Sequence, residues 1–537
     1  MILNDNSGIY VVPPAILTNY QTGSFKNLGT IYLGNNQVAQ VEIEGSLDSR
    51  AGTLVFNFNE NHVSNLILRV DDLYGYSGKF ALGRLLFKPT KSFSLSAKSK
   101  ALTNGGLKWN FSDIITLGNG ITSASGVIDV SNLELVTVPG LDISYTLNPD
   151  TLDGTVILSR PTNGFARNFS GNTKTYASIL DRAVRNPELY GLKTQELLTN
   201  LIFEEDLNVL KIMADSLVPT NYLMLNKANL EKHLGTVYQL RDLELADGAF
   251  GKVFGNYREQ DARSNYNSFH MSDTEFVLGV NKNWGGFTLK PYFGYSQMRF
   301  KDHGDASSFK ASGIGLFAGL GAKINLAGKN GLWFTDADHS LYLDGHLLGA
   351  FDRFNTERNA GLKGTIYERN YHAKYYTFSG VGSLNLNFAY RNDADYIITP
   401  SIGFDLAYSM NEEFSEKGDH LNLWLKSNDF TYSRANVGLK ASKTFKPKAK
   451  DDLTIKAEVG GTFYHEFGTY NEVDFRTLKL SHNMSFDDFS DRNYFEVKGK
   501  VSATNQSDLE FNTSVRSTVG RSGYTDAGVD FEVVLPF

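Results

Sequence analysis

The chain has 537 residues, no cysteine, and a formal charge of −7 from 52 basic and 59 acidic residues. Mild acidity argues against a nucleic-acid binder, which carries a basic excess. The lack of Cys excludes disulfide staples, thiolate zinc sites and a cysteine nucleophile. With 27 Tyr, 37 Phe and 50 Gly against 12 Pro and 4 Trp, the composition suits long β-strands.

Length alone allows about two to four domains. No run of about eighteen apolar residues occurs, so no transmembrane helix is encoded. The longest comparable stretch, Ile314–Ala322, is short and Gly-rich. The N-terminus does not read as a secretory signal. Its first basic residue is Lys26, and Pro13 and Pro14 break the apolar stretch Ile9–Leu17. For an exported protein, the signal is expected outside this chain, which would then be a mature or truncated piece of something longer.

Residues 1–165 read as short β-rungs: Gly29–Gly34, Val38–Glu44, Thr53–Asn59 and Ser64–Val70, punctuated by Asn, Asp and Gly. The spacing is irregular, so a β-solenoid fits without a clean repeat. A solenoid's last rung needs a cap to cover its open edge, and the denser segment Gly106–Leu158 is the candidate. Over residues 173–246 the alternation gives way to helical spacing. Leu197, Leu198, Leu201 and Ile202, then Leu207, Leu210, Met213, Ala214 and Leu217, form a stripe. Pro187 and Pro219 divide the segment into about three helices. The last, Asn221–Leu245, would reach roughly 35–40 Å at ~1.5 Å per residue, about a membrane's thickness. It is too polar to face lipid; a surface helix or helical linker is the plain alternative.

Residues 247–537 contain about twelve segments of period-two alternation, many of ten or more residues. Leu453, Ile455, Ala457, Val459, Gly461 and Phe463 alternate with polar neighbours. Phe495–Ser502, Leu509–Arg516 and Leu341–Asp352 follow the same rule. Each strand has one apolar and one charged face. Strands of a soluble sandwich are shorter, about five or six residues. Without helical crossovers the sheet is antiparallel, and closure removes its edges. Long strands of period two are the mark of a barrel in lipid, apolar outside and polar inside. Connections alternate short (Asn283–Gly286, Arg391–Ala394, Thr504–Ser507) and long (Phe354–His372, Asn411–Leu425, Gly468–Asp491). Asn325–Asp338 is long but falls on the short side.

The chain stops on Val529, Phe531, Val533, Leu535 and Phe537, alternating apolar residues with a terminal aromatic. This ending resembles the β-signal that outer-membrane barrels present to their assembly machinery; Pro536 departs mildly from it. The whole layout resembles the C-terminal part of a monomeric autotransporter of type V secretion. The resemblance implies an all-β architecture in the main. A 12-stranded antiparallel transmembrane barrel, 247–537, would hold a luminal helix, about 221–245, within a helical linker, 166–246. The end of a β-helical passenger with an autochaperone-like cap, 1–165, would precede it.

By alternation, the lumen candidates are Lys290, Asp344, His346, Lys456, Glu458, Glu496, Lys498, Lys500, Glu510, Arg516, Asp530 and Glu532. The helix offers Lys227, Glu231, Lys232, Arg241, Asp242 and Glu244. Complementary pairs would seat the helix; otherwise these charges simply keep the lumen wet. The resemblance further implies residence in the bacterial outer membrane as a monomer, with the passenger at the cell surface. Partners would be lipid, the barrel assembly machinery, periplasmic chaperones and a host or neighbouring-cell ligand reached through a missing adhesin-type passenger. No nucleic acid and no cofactor are expected.

No enzymatic fingerprint appears. Gly328–Asn330 lacks a P-loop's Ser/Thr. Gly313, Gly315 and Gly319 sit inside a strand, where they would flatten it. The ten histidines are scattered, and His465–Glu466 reads as loop. Some autotransporters cut their helix at paired asparagines, whereas this helix carries separated Asn226 and Asn229, so an attached passenger is expected. The rivals are a porin-like channel with a periplasmic N-terminal domain, and an outer-membrane enzyme using the pairs Asp302–His303 and Asp419–His420.

Overall fold

A computed structural model describes residues 2–536 except 4–8, 11–14, 18–23, 35–36, 60, 70–78, 91–92, 94–101, 103–104, 119–120, 122–123, 242–246, 263–266, 304–307, 329–338, 362–363, 393–395, 419–420, 448–452, 468–470 and 487–491. The chain divides into two compact units, Met1–Asp215 and Ser216–Phe537.

In the first unit the chain winds through three parallel sheets in turn. Ser24–Asn27, Thr30–Leu33 and Gln40–Glu44 pair in register with Ser46–Asp48, Thr53–Phe58 and Asn65–Arg69 of the next turn. Phe56 stacks on Phe87 of the following rung, ring centroids 5.5 Å apart. The rungs share one buried column of Leu33, Leu54, Phe56, Leu66, Leu68 and Leu85. The repeat is hidden in the sequence because insertions of different length separate successive visits to one sheet: Ser46–Asp48, Phe80–Ala81 and Ile128–Asp129 are neighbours in space. An antiparallel sheet of Leu107–Asn110, Gly154–Ser159 and Asp142–Leu147 follows within the segment expected to cap the column. Helices Gly171–Arg185, Leu192–Ile202 and Leu207–Asp215 also belong to this unit. Asp181 anchors the first of them. It pairs with Arg160 at 2.7 Å, both side chains 2% exposed, and accepts from the Phe165 and Ala166 amides at 3.0 Å.

The second unit opens with a helix, Thr220–Arg241, and continues as a closed antiparallel barrel of twelve strands. They are β1 Gly248–Gln260, β2 Phe269–Trp284, β3 Phe287–Asp302, β4 Ser308–Ala327, β5 His339–Ala360, β6 Arg369–Arg391, β7 Tyr396–Asn411, β8 Asn428–Phe445, β9 Thr454–Phe467, β10 Asn493–Thr504, β11 Glu510–Val519 and β12 Tyr524–Pro536. Closure runs through β12, where Phe531 pairs with Val253 and Pro536 with Gly248 of β1. Val529, Phe531, Val533 and Leu535 all point outward, 37–62% exposed. Phe537 lies outside the described residues.

The loops alternate between the two rims, with differences from expectation. The connection placed at Phe354–His372 is mostly strand, because β5 and β6 pair from Ala360↔Arg369 onward. The connections after β7 and β9 are structured. Phe414–Ser415, Trp424–Leu425, Asn471–Thr477 and Leu480–Phe486 form a four-stranded sheet at the long-loop rim.

Outside, a row of Phe276, Tyr295, Leu316, Phe351 and Phe378 runs in register across β2–β6. At the other rim, Trp284 stacks on Phe287, and Phe388 and Tyr390 flank His339. Between these aromatic girdles the wall is apolar, with exposed Leu320, Leu347, Leu384 and Phe293, which suits a lipid-facing belt. Contrary to what the alternation suggests, the inner wall is not polar throughout. Phe250, Phe254, Val277, Tyr292, Phe317 and Leu348 form a buried cluster with Leu230, Leu234, Val237 and Leu240 of the helix. The strand glycines make room for it rather than flattening the sheet. A Cβ at Gly279, Gly294 or Gly319 would lie 2.3 Å from the ring of Phe250, Phe317 or Tyr292 respectively.

Candidate functional site: the helix-filled lumen

The helix of 22 residues spans about 33 Å at ~1.5 Å per residue, enough to cross the barrel. Its N-terminal end lies at the long-loop rim. Tyr222 donates to Glu416 at 2.8 Å and lies 3.2 Å from Thr356. Glu416, from the loop after β7, is gripped by Arg358 through Nε and Nη2 at 2.7 and 2.6 Å. Arg358 also donates to the carbonyl of Ser216, just upstream of the helix, at 2.6 Å. A fork-on-carboxylate pair of this kind is geometrically specific.

Asp352 on β5 is the hub of the next turns. Its two oxygens receive Lys232 at 2.8 Å, His233 at 2.7 Å and Asn229 at 3.1 Å. Lys232 also donates to Ser296 of β3 at 3.0 Å. Both members of the Lys232–Asp352 pair are 1% exposed. Asn226 bridges Tyr375 and Asn411 at 3.1 and 3.2 Å, and Thr236 donates to Glu275 at 2.6 Å. On the opposite side, Glu231 meets Arg521 at 3.4 Å and Tyr524 at 3.2 Å. Arg521 in turn pairs with Glu466.

Gly235 faces two arginines. A Cβ there would lie 3.2 Å from Arg258 and 3.7 Å from Arg516. Arg258 is neutralised by Asp273 at 2.9 Å, and Arg516 by Asp526 at 3.1 Å and Glu496 at 3.2 Å. Near the helix's C-terminal end, Lys252 donates to the Gln239 carbonyl at 3.2 Å while pairing with Asp530 at 3.2 Å and Glu532 at 3.8 Å. Arg241 sits 4.0 Å from Asp405, which Arg434 also holds at 2.7 Å. Lys290, Lys323, Lys440, Lys498, Asp344 and Glu458 line a small vestibule around Tyr238 and Arg241. Cations are favoured beside a helix C-terminus.

Among the residues read from alternation, Glu496, Arg516, Asp530 and Glu532 belong to the clusters touching or framing the helix. Lys290, Asp344, Glu458 and Lys498 line the vestibule, and His346 lies 3.2 Å from Asp344. Lys456, 3.9 Å from Glu458, Lys500 and Glu510 are only half-buried near the short-turn rim. On the helix, Lys232, Glu231 and Arg241 make the contacts described and Lys227 is buried. Asp242 and Glu244 lie outside the described residues. So does the pair Asp419–His420.

Sequence reasoning placed Asp352 on a polar strand face and named Asn229 on the helix without assigning either a partner, and it missed His233 and the barrel partners Glu275, Arg258, Asp273, Arg358 and Glu416. Alternation could have placed Asp273, Glu275 and Arg358 on the inner face as well. Glu416 and Arg521 sit in loops and carry no periodic signal. Among the described residues no group of three or more His, Asp or Glu could hold a metal ion.

Residues 249–516 match the sequence family described as autotransporter beta-domain. Solved structures similar to this chain include the translocator domain of NalP from Neisseria meningitidis, at 14% identity and TM-score 0.42, covering 60% of this chain and 99% of that one. The transport unit of AIDA-I from Escherichia coli is 14% identical at TM-score 0.37, over 57% and 98% of the two chains. The beta domain of Bordetella BrkA is 15% identical at TM-score 0.37, over 55% and 100%. No curated protein matches the chain in sequence.

Proposed function

Since its β-domain makes this chain an autotransporter, resident in the bacterial outer membrane with its passenger exposed outside, we propose that the barrel secretes the chain's own N-terminal part and keeps it displayed there. The observation that carries this reading is the helix seated through the lumen. Its N-terminal end, at Tyr222, meets the long-loop rim through Glu416 and Arg358. Its C-terminal end leads into β1 at the opposite rim, beside Lys252. A chain so threaded has Ser216 at the long-loop rim, held by Arg358, and that rim is the side that faces out in such barrels.

Residues 1–165 act as the membrane-proximal end of the passenger, with Gly106–Leu158 as the first part to fold. Folding outside makes return through a helix-wide lumen unfavourable, so no nucleotide hydrolysis is required. The alternating outward face of β12 serves as the β-signal for the assembly machinery, and periplasmic chaperones guard the chain before insertion. Asn226 and Asn229 are each engaged by side-chain hydrogen bonds, which suits a passenger that stays attached and acts as an adhesin.

The test is an epitope inserted near Thr18, in a chain given a signal peptide and expressed in a Gram-negative host. Intact cells should stain as strongly as lysed cells. Staining of lysed cells alone, with the barrel inserted, would replace this reading by a porin-like channel with a periplasmic N-terminal domain.

A further inference from the structure

We propose that the outer wall of β2–β6, just beyond the aromatic girdle at the long-loop rim, is a binding surface for the phosphorylated glycolipid of the outer leaflet. Strand register assembles it. One row reads His270–Lys301–Lys310–Glu357–His372 across β2 to β6, and the row below reads Ser272–Arg299–Ser312–Asn355–Lys374. Arg299, Lys301, Lys310 and Lys374 are all exposed, and a shallow hollow runs among the first three.

Lys301 and Lys310 stand directly opposite one another. Like charges in that position are destabilising unless an anion lies between them. The cluster is also one-sided. Among the described residues, the outward faces of β1 and β7–β12 carry no Lys or Arg at this rim, where they show instead Glu259, Met410, Asp429 and Thr525.

Height selects the occupant. Arg299 and Lys301 lie four and six residues beyond Tyr295 of the girdle, on the same face of β3. That is roughly 13–20 Å along the strand at ~3.3 Å per residue. Their stems can lie along apolar surface while the charged heads reach headgroup level. Phosphate oxygens are acceptors that ammonium and guanidinium groups bind strongly. Ser272, Ser312 and Asn355, interleaved with the bases, offer neutral donors suited to sugar hydroxyls. A free soluble anion would not require the site to sit at lipid height.

The proposal assumes the orientation used above. Its test is read in detergent without any surface display, so failure of one does not imitate failure of the other. Full-length chain is titrated with bis-phosphorylated lipid A and with phosphate-free lipid A, and retained lipid is counted by native mass spectrometry. The phosphorylated form should bind saturably and the phosphate-free form should not. The triple variant R299Q/K301Q/K310Q should weaken binding on the order of a hundredfold, at roughly fivefold per basic group. K443Q, outward-facing at the other rim, should leave it unchanged. Equal binding of both lipids, or undiminished binding by the triple variant, overturns the proposal. Should the triple variant not fold, K301Q and K310Q alone must each weaken binding about fivefold; unchanged binding by both overturns it equally.

Discussion

Asp352→Ala should unseat the luminal helix. In the native lumen one carboxylate, 1% exposed, satisfies Lys232, His233 and Asn229. Removing it leaves the Lys232 ammonium with Ser296 as its remaining partner here. Breaking a buried pair from one side costs about 3–5 kcal/mol, mostly through the charge left behind. That raises the unseated fraction on the order of a hundred- to a few-thousandfold. Hydrogen exchange of the backbone amides of 226–236, in chain reconstituted into lipid, reads this directly as lost protection. Barrel integrity is checked by heat-modifiable gel migration. Removing the charge as well, in D352A/K232M, should recover much of the protection, since apolar replacement of a buried pair is often tolerated. Exchange within about threefold of the unaltered chain in folded D352A would refute the reasoning. The apolar stripe of Leu230, Leu234, Val237 and Leu240 would then be what holds the helix.

Glu416→Ala removes the carboxylate shared by Arg358 and Tyr222 at the long-loop mouth, and should raise single-channel conductance in planar bilayers while leaving the barrel folded. Gly235→Leu drives a side chain into Arg258 and Arg516; barrel formation should persist while protection of the helix falls about five- to 150-fold, as for overpacking that costs about 1–3 kcal/mol. Gly294→Val collides with the Phe317 ring and should lower the temperature at which the barrel loses its compact gel mobility, by a similar ~1–3 kcal/mol. Asp181→Ala leaves Arg160 buried without its carboxylate and should destabilise the first unit by about 3–5 kcal/mol, read as faster proteolysis within Met1–Asp215.

The barrel was legible because a membrane wall imposes a period of two on every strand, and Val529–Leu535 or Leu453–Phe463 state it without help from distant residues. The helix after Pro219 and the rungs Thr30–Leu33 and Thr53–Phe58 were local in the same sense. The solenoid's order was not, because insertions between Ser46–Asp48 and Phe80–Ala81 erase a fixed repeat that only lateral pairing restores. Alternation states that Asp344 and Arg516 face inward, but not that Arg516 and Arg258 both face Gly235 while Asp344 lines the vestibule. Those outcomes depend on the stagger between strands and on the rotation of the helix within the barrel. Glu416 shows the limit most plainly. It lies in a loop without periodicity, and only closure of twelve strands around the helix brings it to Arg358 and Tyr222. The phase of each strand was therefore written in the sequence. The partners across the lumen were decided by three-dimensional closure, because pairing there joins the helix to separate strands and loops, as with Lys232 and Asp352, 120 positions apart.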